Sequence, residues 1–422
     1  MDSFDMPKDP MVILGYDAVS PLGIDLEDQW QRALSGASGV GPLTRFDLTD
    51  DFPVRIAGQA PAIDHLPYDF LKPREQARWP SPIFKYALLT VSRALEKSGI
   101  EITPDLAPRT AVTFSSAIGG LDALLGADRN LMGKGKLPPP FVNPNACINM
   151  VGGKVSMHTG ATGPISATIT ACATGVTSII VGAMLINDGR ADAAICGAVD
   201  FPLTEPIVAG FGTMGGAFMP KEGEPEEAPE QASRPFSLNR RGFVVSEGSG
   251  CIIIAKKSFA DAHGLGVAAE IAGWAMTSDA FHHVAPNLET VRRCIAQSIE
   301  RAGITPDQIS AVNAHAASTR MGDQVEADAL RQVFGSHVPP VTANKSMIGH
   351  AMGAASAIES ILAVEGMRAG MLPPTINYTP DPAINLDSVV DTGRRVDQEY
   401  VLKNAFGFGG CNACMIFRQT GW

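Results

Sequence analysis

No feature constrains the fold of this chain more than the stretch from Val155 to Asn187, which carries no formally charged residue when His158 is neutral. By hydropathy alone it resembles a membrane span. Gly160, Gly163, Pro164 and Gly175 interrupt it, so it reads instead as a strand-like run (Ile165 to Ile169), a turn and a helix-like run (Val176 to Ile186) at the buried centre of a core. Cys172 sits at the junction, in Thr170-Ala171-Cys172-Ala173-Thr174-Gly175. A thiol at a helix N-terminus faces unsatisfied N–H groups and the positive end of the macrodipole, which favour the thiolate, the reactive form. Most free cysteines are small buried hydrophobes; the strand–turn–helix setting makes Cys172 the candidate nucleophile.

Composition narrows the class. The 422 residues are 45% hydrophobic and 18% charged, with 43 glycines, as expected of an α/β protein with a large core. A formal net charge of -11 argues against nucleic acid or an anionic membrane as partner. Seven scattered cysteines fit a reducing compartment, so a cytoplasmic location is expected. Met1 to Asp9 holds three aspartates and no apolar h-region, so no signal peptide is expected.

The pattern predicts a strand at Met11 to Leu14, helices at Leu26 to Leu34 and Ile83 to Lys97, and short buried strands at Ala111 to Phe114 and Ala193 to Cys196. Lys221 to Glu230 reads as an acidic surface loop. Beyond it come a strand (Gly250 to Ala255), a helix (Leu288 to Ala302), a buried strand (Ala311 to Ala314) and a small-residue helix (His350 to Gly366). The second half echoes the first, which implies a duplication with its boundary near Ser258. The expected domains are residues 1–258 and 259–422, sharing an interface.

Four further segments look like loops that expose functional groups. They are Asn313-Ala-His315-Ala316-Ala317-Ser-Thr319 with Asp323 and Glu326, Asn344-Lys345-Ser-Met-Ile-Gly-His350, Gly353-Ala-Ala with Glu359, and Asn404-Ala-Phe-Gly-Phe408-Gly-Gly-Cys-Asn412. With Cys172, and with Arg234-Pro-Phe, Gly242-Phe-Val and Thr277-Ser-Asp-Ala-Phe-His282 in the same order, the chain resembles the β-ketoacyl-ACP synthases of the decarboxylating, two-histidine kind in the thiolase-like superfamily. The resemblance runs over almost its whole length.

The resemblance implies a thiolase-like α/β fold: duplicated halves, each with a mixed five-stranded sheet, in a five-layer αβαβα arrangement. It implies a dimer paired through the sheet, a homodimer or a heterodimer, and an acyl carrier protein as partner. Cys172 would take the acyl chain, with the N–H groups of Cys172 and Phe408 as oxyanion hole, worth ~3 kcal/mol per donor. His315 and His350 would stabilise the enolate left when a malonyl thioester loses CO2, with Lys345 buried beside them and Glu359 supporting it. Protons shared among His315, His350 and Lys345 titrate as a set, so no general base is assigned. Thr319 and Ala317 would face the phosphopantetheine arm of the carrier-bound substrate, and Ile118 and Phe408 would line and gate the acyl pocket. No bound cofactor and no metal are assigned. Lys72, Arg74, Arg78, Arg129, Lys134 and Lys136 are the basic residues expected to meet an acidic carrier. The rival readings are a non-elongating partner like a chain-length factor, and an acyltransferase that does not decarboxylate.

The chain also departs from the family pattern. Ala316-Ala317 replaces Gly-Thr, losing a hydroxyl worth ~1 kcal/mol and disfavouring left-handed backbone at 316. Ser237 and Arg241 replace aspartates, Ser246 a glycine, and Ser115 and Ala117 glycines. Lys403 stands where some relatives carry a second asparagine near a bound monovalent cation. The Cys411-Asn-Ala-Cys414 spacing puts the two sulfurs on opposite faces of a strand, which suits packing rather than zinc or redox chemistry.

Overall fold

The computed structural model describes residues 9–220 and 227–420. Residues 1–8, and 221–226 of the expected acidic loop, lie outside the described residues. Nine strands form the main sheet: β1 (Met11–Val19), β2 (Thr110–Ser115), β3 (Ala193–Asp200), β4 (Gly248–Lys256), β5 (Ala269–Ser278), β6 (Ile309–Asn313), β7 (Val341–Thr342), β8 (Tyr400–Gly407) and β9 (Cys411–Arg418). Their order is β2-β3-β4-β1-β5-β9-β8-β6-β7.

That order contains one pattern twice. In the second half β7, β6 and β8 run parallel, followed by antiparallel β9 and β5. In the first half β2 and β3 run parallel, followed by antiparallel β4 and β1. The missing fifth position is held by a single parallel bridge, Ile165 to Val112. Numbered by chain order within each half, both sheets read 3-2-4-5-1. The expected five strands are therefore complete in the second half and reduced to four strands and a bridge in the first. Ile165 is held there by two backbone hydrogen bonds, from the Val112 N–H to the Pro164 carbonyl (2.9 Å) and from the Ser166 N–H to the Val112 carbonyl (3.0 Å). The two sheets are also joined, through three antiparallel pairs between β1 and β5, Met11 with Ile271 to Ile13 with Ala269.

Six helices complete the layers: α1 (Pro82–Ser98), α2 (Asn149–Thr159), α3 (Thr174–Asn187), α4 (Leu288–Arg301), α5 (Arg320–Phe334) and α6 (Met352–Ala369). α1 and α2 cover the outer face of the first sheet, α4 covers that of the second with α5 against it, and α3 and α6 lie between the sheets and touch both. Three apolar cores fill the interlayer spaces. The central position explains why α3 carries no charge, since most of it is buried between the sheets; the expected buried run Ile165 to Ile169, by contrast, lies outside that core with both isoleucines exposed. The place of α3 also explains Gly175, because a Cβ there would stand 2.4 Å from the backbone N of Ala357 on α6.

Candidate active site

The nucleophile turn is built by the break in that stretch. The chain enters a 3-10 turn at Ala171–Ala173 that runs directly into α3. Ala171 takes φ +47°, a left-handed conformation costing on the order of 1–3 kcal/mol outside glycine. Thr174 holds it: its Oγ1 donates to the Ala171 carbonyl (2.7 Å) and accepts from the Thr170 N–H (3.0 Å). From the other side β8 ends at Gly407, where a Cβ would be 2.2 Å from the Thr170 carbonyl oxygen. Only glycine permits this approach, and it brings the Phe408 N–H onto the Cys172 sulfur.

The loop after β6 carries His315, and the turn Lys345–Ile348 leads to His350. The two imidazole centroids are 5.7 Å apart, edge to face. Phe406 packs on His315 at 5.6 Å and Phe243 on His350 at 5.3 Å. Cys172, His315, His350, Ala317, Thr319 and Phe408 line one cavity of about 640 Å³ whose remaining wall is largely apolar, including Met214, Phe243 and Met352. Burial, then the charge of Lys345, holds both imidazoles well below the usual histidine range, so they are neutral. Burial pushes the Cys172 thiol up to about 11, against the pull of Lys345 and the Phe408 N–H. The helix-end expectation of an easily formed thiolate therefore yields to desolvation.

Beneath the histidines lies a buried ionic cluster. Lys345 Nζ donates to the His315 carbonyl (2.7 Å) and to Glu359 Oε1 (2.6 Å), and Lys403 Nζ donates to Glu359 Oε2 (2.7 Å). Glu326 accepts from the N–H groups of His315 (2.9 Å) and Ala316 (2.7 Å) and from Asn404 Nδ2 (3.0 Å). Asn404 Oδ1 accepts from the Cys414 thiol (3.3 Å). Of the three residues that would hold a monovalent cation, Asn313, Glu359 and Asn404, two do not fit one: each Glu359 oxygen already holds an ammonium and the Asn404 amide is committed at both ends, which leaves only Asn313 Oδ1 buried without a partner.

Other expectations change in detail. Asp323 accepts from the N–H groups of Ala317 and Thr319 (3.1 Å each), and the left-handed residue of that loop is Ser318 (φ +67°), so alanine at 316 costs no backbone strain. Ile118 does not reach the cavity wall. Its N–H is held by Asp200 Oδ1 (2.9 Å), and its side chain joins the apolar cluster that also contains Phe408. Arg241 does line the cavity, stacking on Phe218 at 4.9 Å and pairing with Glu227 at 3.2 Å. Of the basic residues, Lys72, Arg78 and Arg129 pair with Asp69, Glu75 and Glu205, while Arg74, Lys134 and Lys136 are exposed. Arg74 and Arg78 share a groove with Ala123 of the helix Leu121–Lys134, which also carries Arg129. Cys411 and Cys414 sit on β9, half-buried and buried, and all seven cysteines are unpaired.

Sequence reasoning missed Asp200. This fully buried carboxylate at the end of β3 accepts from Ser116 Oγ (2.6 Å) and from the N–H groups of Ala117 (3.2 Å), Ile118 (2.9 Å) and Ala354 (3.2 Å), tying the loop after β2 to the start of α6. A lone carboxylate closing a buried apolar strand was the available signal.

A family model described as Beta-ketoacyl synthase, N-terminal domain, matches residues 8–260, and its C-terminal counterpart matches residues 268–379. The chain belongs to the β-ketoacyl synthase family. This ketosynthase is 37% identical to 3-oxoacyl-[acyl-carrier-protein] synthase 2 of Coxiella burnetii, over 98% of the chain and 100% of the relative. It is 35% identical to the protein of the same name from Staphylococcus aureus, over 97% and 98%. Among solved structures it is similar to a beta-ketoacyl synthase from Burkholderia phymatum (TM-score 0.89, 28% identity, covering 98% of this chain and 100% of that one). It is also similar to a type II PKS acyl-carrier protein complex with its ketosynthase (TM-score 0.88, 27% identity, the same coverage) and to the ishigamide ketosynthase/chain length factor (TM-score 0.87, 28% identity, the same coverage). No helix among the described residues is long and apolar enough to cross a membrane.

Proposed function

We propose that this ketosynthase is a β-ketoacyl-ACP synthase that joins an acyl chain on Cys172 to malonyl-ACP by decarboxylative condensation. The observation that carries the reading is the convergence of one thiol, two neutral imidazoles and the Phe408 N–H on a single apolar cavity. Relatives named 3-oxoacyl-ACP synthases and a structural relative solved with its carrier protein support it.

In the first half-reaction the Cys172 sulfur attacks the acyl thioester, the oxyanion faces the N–H groups of Cys172 and Phe408, and the thiol proton ends on the departing phosphopantetheine sulfur. With its resting pKa near 11, the thiol loses its proton as the bond forms. In the second half-reaction malonyl-ACP loses CO2, and the enolate oxygen is met by the N–H groups of the His315 and His350 imidazoles. The enolate carbon then attacks the acyl carbonyl, and Cys172 leaves and takes up one proton. The product is a β-ketoacyl-ACP two carbons longer. Neutral imidazoles suit this step because each still offers one N–H donor while being too weak an acid to protonate the enolate carbon before it attacks. Ala317 and Thr319 would border the pantetheine arm, and Phe408 would gate the acyl chain.

Mass spectrometry of Cys172 after acyl-ACP, then after malonyl-ACP, tests the reading. The expected result is an acyl adduct that is absent in Cys172→Ala and is discharged as β-ketoacyl-ACP. An adduct that malonyl-ACP leaves untouched would mean a non-decarboxylating acyltransferase, and no adduct with any acyl-ACP a non-elongating subunit. The division near Ser258 is retained as a proposal, supported by the break in the family match between 260 and 268. A dimer through the first sheet is supported by Ile165 and Ile169, which stand exposed on the segment beside β2, with exposed Met157 on neighbouring α2. A location in the cytoplasm fits the reaction and the unpaired cysteines.

A further inference from the structure

Glu359 binds two ammoniums, and neither takes part directly in the steps above. Lys345 reaches the catalytic loop through the His315 carbonyl. Lys403 is not among the residues lining the Cys172 cavity; it is fully buried on β8, with its Nζ on Glu359 Oε2 (2.7 Å) and reaching the Ala314 carbonyl at 3.5 Å. Burying a second lysine carries a heavy desolvation cost unless its charge is matched. The titratable groups around it come from every neighbouring element: Glu359 on α6, Glu326 on α5, Lys345 before it in the chain, Cys414 on β9, and His315 and His350 above. Two ammoniums then face two carboxylates, and the cluster is neutral only if both imidazoles are neutral. Without Lys403 the balance is one negative charge, one Glu359 oxygen is unpartnered, and both histidines lose a charge that disfavours their protonation.

We propose that Lys403 is a positioning residue whose ammonium, carried by the chain, stands in for the monovalent cation that some relatives bind, fixing Glu359, and through it Lys345 and the His315 loop, while keeping both imidazoles neutral. Burial pulls Lys403 down to about 8 against the pull of Glu359, which leaves it mostly charged at neutral pH. The proposal rests on the ketosynthase reading only for which rate responds.

The test compares the full chain, Lys403→Met and the double variant Lys403→Met/Glu359→Gln. Three quantities are read: Tm in potassium, sodium or choline chloride at equal ionic strength, the titration of the histidine ring signals by NMR, and kcat/KM against pH. For the full chain, a Tm that is the same in all three salts is expected; a Tm raised by potassium or sodium over choline would overturn the idea. In Lys403→Met the signals of His315 and His350 should titrate closer to 6.5, and the acidic limb of kcat/KM should move to higher pH. kcat/KM should also fall on the order of tenfold, as when a partner supporting a site group is lost. Unchanged histidine titration in that variant overturns the proposal, because a merely structural lysine would lower Tm without moving it. The double variant removes one charge of each sign, so its histidines should return to neutral; if Lys403→Met does not fold, this comparison decides, and histidines that still titrate near 6.5 count against the idea. If no β-ketoacyl product forms at all, the function reading fails while the Tm and NMR arms still judge Lys403.

Discussion

At Cys172 two effects oppose each other, and their balance sets how the residue behaves. The first turn of α3 and the Phe408 N–H favour the thiolate, while complete burial disfavours it and prevails, leaving the thiol near 11. A folded pKa above pH 9 means that the reactive fraction grows about tenfold per pH unit across the neutral range. Alkylation of Cys172 by iodoacetamide, followed by peptide mass spectrometry, should therefore still be climbing at pH 9. A plateau reached by pH 8 would show the helix end in control. The sequence made Cys172 legible because its neighbours change from strand-like to helix-like around it. His315 and His350 were legible only through a family resemblance, since a histidine after a buried strand is also an ordinary core residue. Asp200 was not legible, because its partners are N–H groups from two distant segments that only folding brings together.

Helices were the most readable elements, and their ends show where tertiary contacts take over. Leu26–Leu34 begins and ends as its pattern predicts, with Asp25 accepting from the N–H groups of Glu27 and Asp28. β1 was expected to stop at Leu14 but continues to Val19, because a register shift between Ile13 and Gly15 lets the ladder with β4 resume. The helix expected from His350 starts at Met352 instead. The His350 N–H is taken by the Val244 carbonyl (2.7 Å) and its own carbonyl by the Ser246 N–H (3.0 Å), which pins the imidazole in place before the helix begins. Helices α3 and α6 meet closely at Gly175, where a Cβ would stand 2.4 Å from the Ala357 N. Gly175→Ala would press a methyl group into the Ala357 backbone, and overpacking of this kind costs ~1–3 kcal/mol. Thermal denaturation should show a clear fall in Tm, with acylation of Cys172 slowed because α3 carries the nucleophile turn. An unchanged Tm would mean that the helices can slide apart.

Across the whole molecule, the duplicated strand order was foreseen as an echo between halves, but the join between sheets was not, because a three-pair ladder leaves no periodicity of its own. The exposed edge beside β2 belongs to this scale too. Ile165→Arg combined with Ile169→Arg should shift sedimentation from dimer to monomer, and a dimer that survives both would move the contact elsewhere. The sulfur comes from one half of the chain and the imidazoles from the other, yet β1 and β5 stitch those halves together by backbone hydrogen bonds. Such a seam forbids the clamshell opening by which many two-lobed enzymes admit their reactants. Traffic through this one has to be managed by swivelling side chains and short loops, with the reacting groups held at constant separation throughout the cycle.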